Sequence, residues 1–476
     1  MITSQTSQET HAHARAECPA SRRVGSSMTR PAALPPVELT AAARRYLQTE
    51  SGGALLLLLA TVTALVWVNS PFAGAYEDLW GTELTVQLGD RELREDLRHW
   101  VNDGLMTLFF LLVGLEIARE LSVGEYRDRR AVIAPALAAL GGLALPALVY
   151  LAIAGGEAAR GWGIAISTDT AFALGILALV GPRCPNRLRI FLLALAIVDD
   201  IAAIAVIAVF YTEEVDVTAL TVAILLIGVL ALLRRLRVHD ATPYVLVAVL
   251  VWLATLTSGV HPTVAGVAMG LLFASYRPSE LQLEPIPEMG QSFLSAPTAE
   301  RARTVVRGLS SALPLNDRIS LRLHPLISFV VVPLFALANA GVVLDGQALR
   351  TAATSPVAVG IAVALVLGKL LGVLSGTWLA LRVPGATFVG GVRWGQVTGV
   401  AAVAGIGFTI ALFITDLAFT DPDVQQEAKI GILVGSAAAA LLALAVFRVL
   451  AYRGALCYPE DAQATLPPLA QIADPD

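Results

Sequence analysis

Cysteine is nearly missing from this chain. Three occur in 476 residues, at Cys18, Cys184 and Cys457, too far apart for a metal cluster. Free thiols are expected on the cytoplasmic side, with no disulfide framework. Lysine is rarer still: Lys369 and Lys429 stand against 31 arginines. Charge of either sign is sparse at 15%, and the formal net charge of −5 gives no reason to invoke nucleic acid. No GxxxxGK[ST] loop is present, which excludes primary transport driven by a nucleotide phosphate. Residues 1–46 contain no apolar run resembling a signal-peptide core. They are rich in Ser, Thr, Ala, Pro and Arg and read as a disordered cytoplasmic tail. His11 and His13 fall in it and are expected to be solvated.

Apolar residues fill the space left by charge. They make up 56% of the chain, and the mean hydropathy is +0.70, too apolar for a soluble domain of this length. Apolar runs occur at about 53–69, 100–119, 132–154, 162–181, 188–211, 217–233, 243–257 and 260–276. After a long loop, four more follow at about 324–344, 355–381, 394–415 and 427–451. Each suits a membrane span. With an internal N-terminus, the cytoplasmic flanks hold 22 arginines, while external segments carry only Arg91, Arg94, Arg98, Arg160, Arg350 and Lys429. That asymmetry supports twelve spans with both termini cytoplasmic. The fold class expected is an all-α polytopic membrane protein of about twelve transmembrane helices. Residues 47–453 form the helical domain, and 454–476 form a cytoplasmic C-terminal tail. The cytoplasmic loop 277–323 is polar and Pro-bearing and reads as mobile. Glu83–Arg98 alternates apolar and polar residues about Gly89–Asp90, the pattern of a small external β-hairpin.

Few ionisable groups lie away from span ends: Asp169, Asp199, Asp200 and Lys369. Asp199 and Asp200 sit in mid-run of Leu192–Tyr211, LLALAIVDDIAAIAVIAVFY. Twenty such residues rise about 30 Å, so the carboxylates come near the bilayer midplane. One ionised carboxylate there costs at least roughly 2.5–3.5 kcal/mol. Packing gives no return for that cost, and an intramembrane cation or proton site does. Lys369 occupies the middle of span ten, too deep to snorkel to an interface. In so arginine-rich a chain, lysine at that depth points to a group that can lose its proton.

Two spans are interrupted. Ser167-Thr168-Asp169-Thr170 breaks span four, and Gly405, Gly407 and Thr409 break span eleven. The two run in opposite directions and are the middle members of spans 3–5 and 10–12. Interrupted helices at matching places in inverted repeats point to a transporter site at the repeat interface.

These residues resemble the NhaA family of sodium/proton antiporters. The matching stretches include DGLMTLFFLLVGLEIARE (103–120), STDTAFALGILALVG (167–181), LALAIVDDIAAIAVIAVFYT (193–212), SGVHPTVAG (258–266), LHPLISFVVVPLFALANAG (323–341) and GIGFT (405–409). The resemblance implies that Asp199 and Asp200 form the ion- and proton-exchanging pair, with Asp200 the main Na⁺ ligand and Lys369 pairing with Asp199. Thr168 and Asp169 then match the break of span four, where the carboxylate faces helix N-termini. Glu116, Arg119, Glu120 and His324 match a charged cluster associated with pH activation, and His261 a histidine linked to pH response. Spans 3–5 and 10–12 would form the core and spans 1, 2 and 6–9 the interface. Family members often carry a glutamate where this chain has Ser320. The hairpin at 83–98 resembles the family's dimer-forming element, which implies a homodimer.

The function implied is electrogenic, pH-regulated exchange of Na⁺ or Li⁺ for H⁺ across a bacterial inner membrane, with lipid as the surroundings and neither enzymatic activity nor a cofactor. Carboxylate oxygens suit both a hard cation and a proton. Two other readings compete. An intramembrane aspartyl protease needs two aspartates from different helices, which Asp169 and Asp200 could supply. Its glycine motif places an aspartate directly after GxG, however, and here Phe408 follows Gly407. A cation channel would need a selectivity-filter loop, which no stretch resembles.

Overall fold

A computed structural model describes residues 50–88, 91–123, 129–179, 186–212, 215–236, 242–273, 285–383 and 393–453. Both tails and the three cysteines lie outside the described residues.

The described chain is overwhelmingly helical. Its longer helices are apolar nearly all round, as helices surrounded by lipid or by other helices must be, because only a closed helix satisfies its backbone there. Among the described residues, seven helices are long and apolar enough to cross a membrane, and three further helix pairs qualify together but bend at a break. Two shorter apolar helices, α8 (Thr242–Leu256) and α9 (Pro262–Leu272), accompany them. The described chain opens with α1 (Glu50–Val68), which turns through 117° into α2 (Ala73–Trp80). Strands β1 (Glu83–Leu88) and β2 (Arg91–Asp96) then pair antiparallel, with Glu83 opposite Asp96. Arg94 and Glu83 form an ion pair across that ladder.

Next come α3 (Met106–Ser122) and α4 (Arg129–Ile153), then a 3₁₀ segment Gly156–Ile166 leading to α5 (Thr170–Leu179). The two aspartates ride on α6 (Asn186–Phe210), which is followed by α7 (Val217–Arg235). The interior is lined by Leu192, Leu195, Phe335, Phe413 and Phe447. Leu225, Val209 and Val245 remain exposed on the outside, the arrangement of a surface solvated by lipid.

In the stretch 277–323, which composition reads as a loop, the described residues 285–323 are largely helical. Within it lie α10 (Pro285–Ser295) and α11 (Ala299–Ala312). The following span also starts early: α12 (Leu315–Leu326) runs through a π-helical turn, Ile327–Val331, into α13 (Val332–Asn339). Its first turns carry Asp317, Arg318 and Arg322, which mask the helix from a reading by hydropathy alone. Buried Asn316 also ties it down, donating to the carbonyls of Leu115 (2.9 Å) and Phe273 (2.6 Å).

After α14 (Gly346–Thr354), α15 (Pro356–Val363) passes through another π-helical turn, Ala364–Gly368, into α16 (Lys369–Ala380). Then α17 (Trp394–Val403), α18 (Phe408–Ala418) and α19 (Pro422–Tyr452) complete the described chain. Helices α4 and α16 pack backbone to backbone through glycine. A β-carbon on Gly372 would overlap the carbonyl of Gly141, the close approach that small residues permit between membrane helices.

Candidate functional site

Two breaks in helices meet in the buried interior. The chain bends by 49° between Gly156–Ile166 and Thr170–Ala178, and by 46° between Trp394–Val403 and Phe408–Ala418. Each break strips backbone groups of their helical partners, and in a membrane they must be satisfied from elsewhere. They satisfy one another. The Asp169 N–H donates to the carbonyl of Ile406 at 2.6 Å. Asp169 Oδ2 accepts from the Thr409 N–H (3.0 Å) and the Thr409 hydroxyl (2.7 Å), while Oδ1 accepts from the Phe172 N–H (3.0 Å). One carboxylate thus caps the first turns of both α5 and α18, where the helix dipoles are positive. Gly407 permits the crossing, because a β-carbon there would come within 3.1 Å of the Ser167 carbonyl oxygen. Gly405 and Thr409 are buried beside it.

The crossing is where α6 presents its aspartates. Lys369, the first residue of α16, directly follows the π-helical turn. Such turns shift the register of the residues after them and recur at functional sites. Its Nζ lies 2.6 Å from Asp199 Oδ2, and both side chains are 0% exposed. The Thr168 hydroxyl is 2.6 Å from the same oxygen and 2.9 Å from the carbonyl of Ala404. Its single proton serves one of them at a time. Asp199 therefore links the break of span four, the middle of α6 and the start of α16.

Asp200 is set differently. It is 8% exposed, and Asp199, Glu116, Asp169 and Lys369 act on it electrostatically. Asp199 Oδ1 and Asp200 Oδ1 are buried and accept no hydrogen bond from a described residue. A buried acceptor left unmatched costs about 1–3 kcal/mol, so neighbouring unmatched oxygens need a reason. Such oxygens can hold a proton or a hard monovalent cation. Among the described residues, no group of three or more His, Cys, Asp or Glu is arranged to hold a metal ion.

The remaining sequence-derived residues fall into two other places. Glu116, Arg119 and Glu120 lie on α3, with Glu116 and Arg119 exposed. Arg119 Nε is 3.6 Å from Asp317 Oδ1 on α12. His324, exposed on that helix, lies 3.5 Å from the Ser328 hydroxyl. Asp317, Ser320 and His324 recur at helical spacing on α12. His261 caps α9 instead. Its Nδ1 is 2.8 Å from Thr263 Oγ1, its Nε2 is 3.4 Å from Asp103 Oδ1, and its ring meets Phe413 edge-on.

Composition did not single out Asp103 or Asp317, nor a further polar group spanning four elements. Asn339 donates to Asn102 Oδ1 at 2.8 Å, Asn102 Nδ2 is 3.4 Å from Asp416 Oδ2, and Lys429 Nζ is 3.0 Å from Asp416 Oδ1. The one available signal was Lys429, the other lysine of the chain.

A family model described as Na⁺/H⁺ antiporter 1 matches residues 44–447. The chain is 50% identical over 428 residues to the Na⁺/H⁺ antiporter NhaA 3 of Frankia alni, covering 89% of this chain and 92% of that protein. It is 47% identical over 409 residues to an NhaA 1 of Salinispora arenicola, covering 86% of this chain and 62% of that longer relative. Against an NhaA 1 of Mycolicibacterium vanbaalenii it is 42% identical over 415 residues, covering 87% of this chain and 67% of the relative. With the family model matching most of its length and relatives this similar, the chain belongs to the Na⁺/H⁺ antiporter 1 family.

Proposed function

We propose that this membrane protein is a secondary transporter, not an enzyme, that exchanges Na⁺ or Li⁺ for H⁺ at Asp199 and Asp200. The observation that carries the reading is the buried Lys369–Asp199 pair beside Asp200 at the crossing of two broken helices. Cation and proton compete for the same carboxylate oxygens, and that competition couples the two fluxes without a nucleotide. Lys369 neutralises Asp199 when no cation is present. A cation arriving at the pair takes over that task and frees the lysine to give up its proton. Together with Asp200, this lets more than one proton leave per cation, so exchange is electrogenic. Asp169, Thr168 and Thr409 hold the breaks in register, and Gly405 and Gly407 let the backbones meet.

Twelve spans follow if the seven long helices, the three bent pairs and the two short apolar helices are all counted. The inverted repeats, the core and interface division, the inner-membrane location and the cytoplasmic termini belong to this same reading. So does a homodimer through the hairpin at 83–98. Glu116, Arg119, Glu120 and His324 are assigned to pH response at one mouth, and His261 at a separate place. The Arg119–Asp317 pair supplies an acid on α12 one turn before Ser320.

The protease alternative is disfavoured because both oxygens of Asp169 are already engaged by N–H and O–H donors. A water-activating dyad needs a carboxylate free to share its proton. The test is Na⁺ addition to proteoliposomes containing a pH dye, with the membrane potential clamped at several values. The expected result is Na⁺-dependent proton movement whose rate varies with voltage. Na⁺ entry without proton movement would support a channel and overturn the proposal.

A further inference from the structure

The hairpin of α10 and α11 has no part in the exchange site. Helix α11 repeats apolar residues at Ala302, Val305, Val306 and Leu309, the i, i+3, i+4, i+7 stripe of an amphipathic helix. Helix α10 packs along one edge of it. Met289 packs over Gly308, and Arg301 donates to the Ser292 carbonyl at 2.8 Å. The rest is open: Val306 is 60% exposed and Leu309 45%. Leu313, just beyond the helix, is exposed as well.

The neighbouring chain says what should cover it. Only Leu313 and Pro314 separate α11 from α12, which opens the membrane-crossing helix Leu315–Asn339. Leu321, Leu326 and Val330 on that helix face outward, as toward lipid. A helix joined by two residues to the end of a candidate span is held close to the bilayer surface. From Ala299 to Arg322 the charge is basic, with Arg301, Arg303, Arg307, Arg318 and Arg322 against Glu300 and Asp317. Thr304 and Arg307 lie on the side of α11 away from the stripe and are exposed.

We propose that α11 is an interfacial helix: Val306, Leu309 and Leu313 enter the boundary between headgroups and acyl chains, and the arginines draw it to anionic lipid. Such helices gain binding from buried apolar area plus attraction of basic residues to anionic headgroups. The helix would then hold one end of the span in place at the membrane surface.

The test uses the full chain with Cys18, Cys184 and Cys457 replaced by serine. Nitroxide labels are placed one at a time through Val306→Cys, Leu309→Cys, Thr304→Cys and Arg307→Cys. Each variant is taken forward once its unfolding temperature matches that of the cysteine-free chain. Collision with oxygen and with a water-soluble nickel chelate is measured in vesicles containing phosphatidylglycerol and in vesicles of phosphatidylcholine alone. The oxygen-to-nickel ratio should be severalfold higher at 306 and 309 than at 304 and 307, with the contrast shrinking in phosphatidylcholine. Equal ratios at all four positions would overturn the proposal. So would exclusion of both reagents at 306 and 309, the mark of a face seated on protein. A contrast indifferent to lipid charge would overturn the electrostatic half.

Discussion

Lys369 and Asp199 have no solvent to fall back on, which makes each dependent on the other. Deleting one partner of a fully buried pair strands the other charge, at a cost of about 3–5 kcal/mol. Lys369→Ala should therefore lower the unfolding temperature markedly, and Asp199→Asn in that background should restore part of it. Strictly additive effects in this double-mutant cycle would mean that the 2.6 Å contact carries no energy. Asp169 makes a different demand, for acceptors rather than for charge. Asparagine keeps one acceptor and turns the other end into a donor, facing either the Phe172 N–H or the Thr409 donors. Asp169→Asn should destabilise by about 0.5–2 kcal/mol, as losing a helix cap does. Thermal unfolding indistinguishable from that of the parent would argue against a shared cap.

Whole elements differ in how plainly the sequence announced them. The aspartate pair on α6 and the lysine of α16 were legible because a charge in an apolar run has no ordinary explanation. The breaks at 167–170 and 405–409 were legible for the same reason, as polar or glycine interruptions of otherwise apolar spans. That they meet was expected from their matching places in spans 3–5 and 10–12 and from the family resemblance, whereas the hydrogen bonds themselves, between residues some 240 apart, leave no local pattern. Other features were hidden. The start of α12 is disguised by charged residues, and α10 and α11 by the prolines and polar residues around them. The π-helical turns carry no compositional mark. Packing of α4 on α16 was equally invisible, because glycine in an apolar run reads as a weak signal. Its strength is testable. Gly372→Ala should cost about 1–3 kcal/mol through overpacking and should reduce exchange by moving Lys369 away from Asp199. Parent-like unfolding and exchange together would show that the backbones have room to part.

At the scale of the whole molecule, the proposed competition between protons and Na⁺ would set the pH response. Protons win at low pH, so exchange should be slow there and rise with pH. Raising Na⁺ should move the onset to lower pH, and an onset fixed at all Na⁺ concentrations would separate the pH control from the site. The most direct test of that competition needs no membrane. Na⁺ is added to the purified, detergent-solubilised protein in weakly buffered solution, and released protons are counted against bound Na⁺. The parent should release more than one proton per Na⁺, and Asp200→Asn should neither bind Na⁺ nor release protons while unfolding no earlier than the parent. Na⁺ binding without proton release, or undiminished release from Asp200→Asn, would contradict the assignment of exchange to this carboxylate pair.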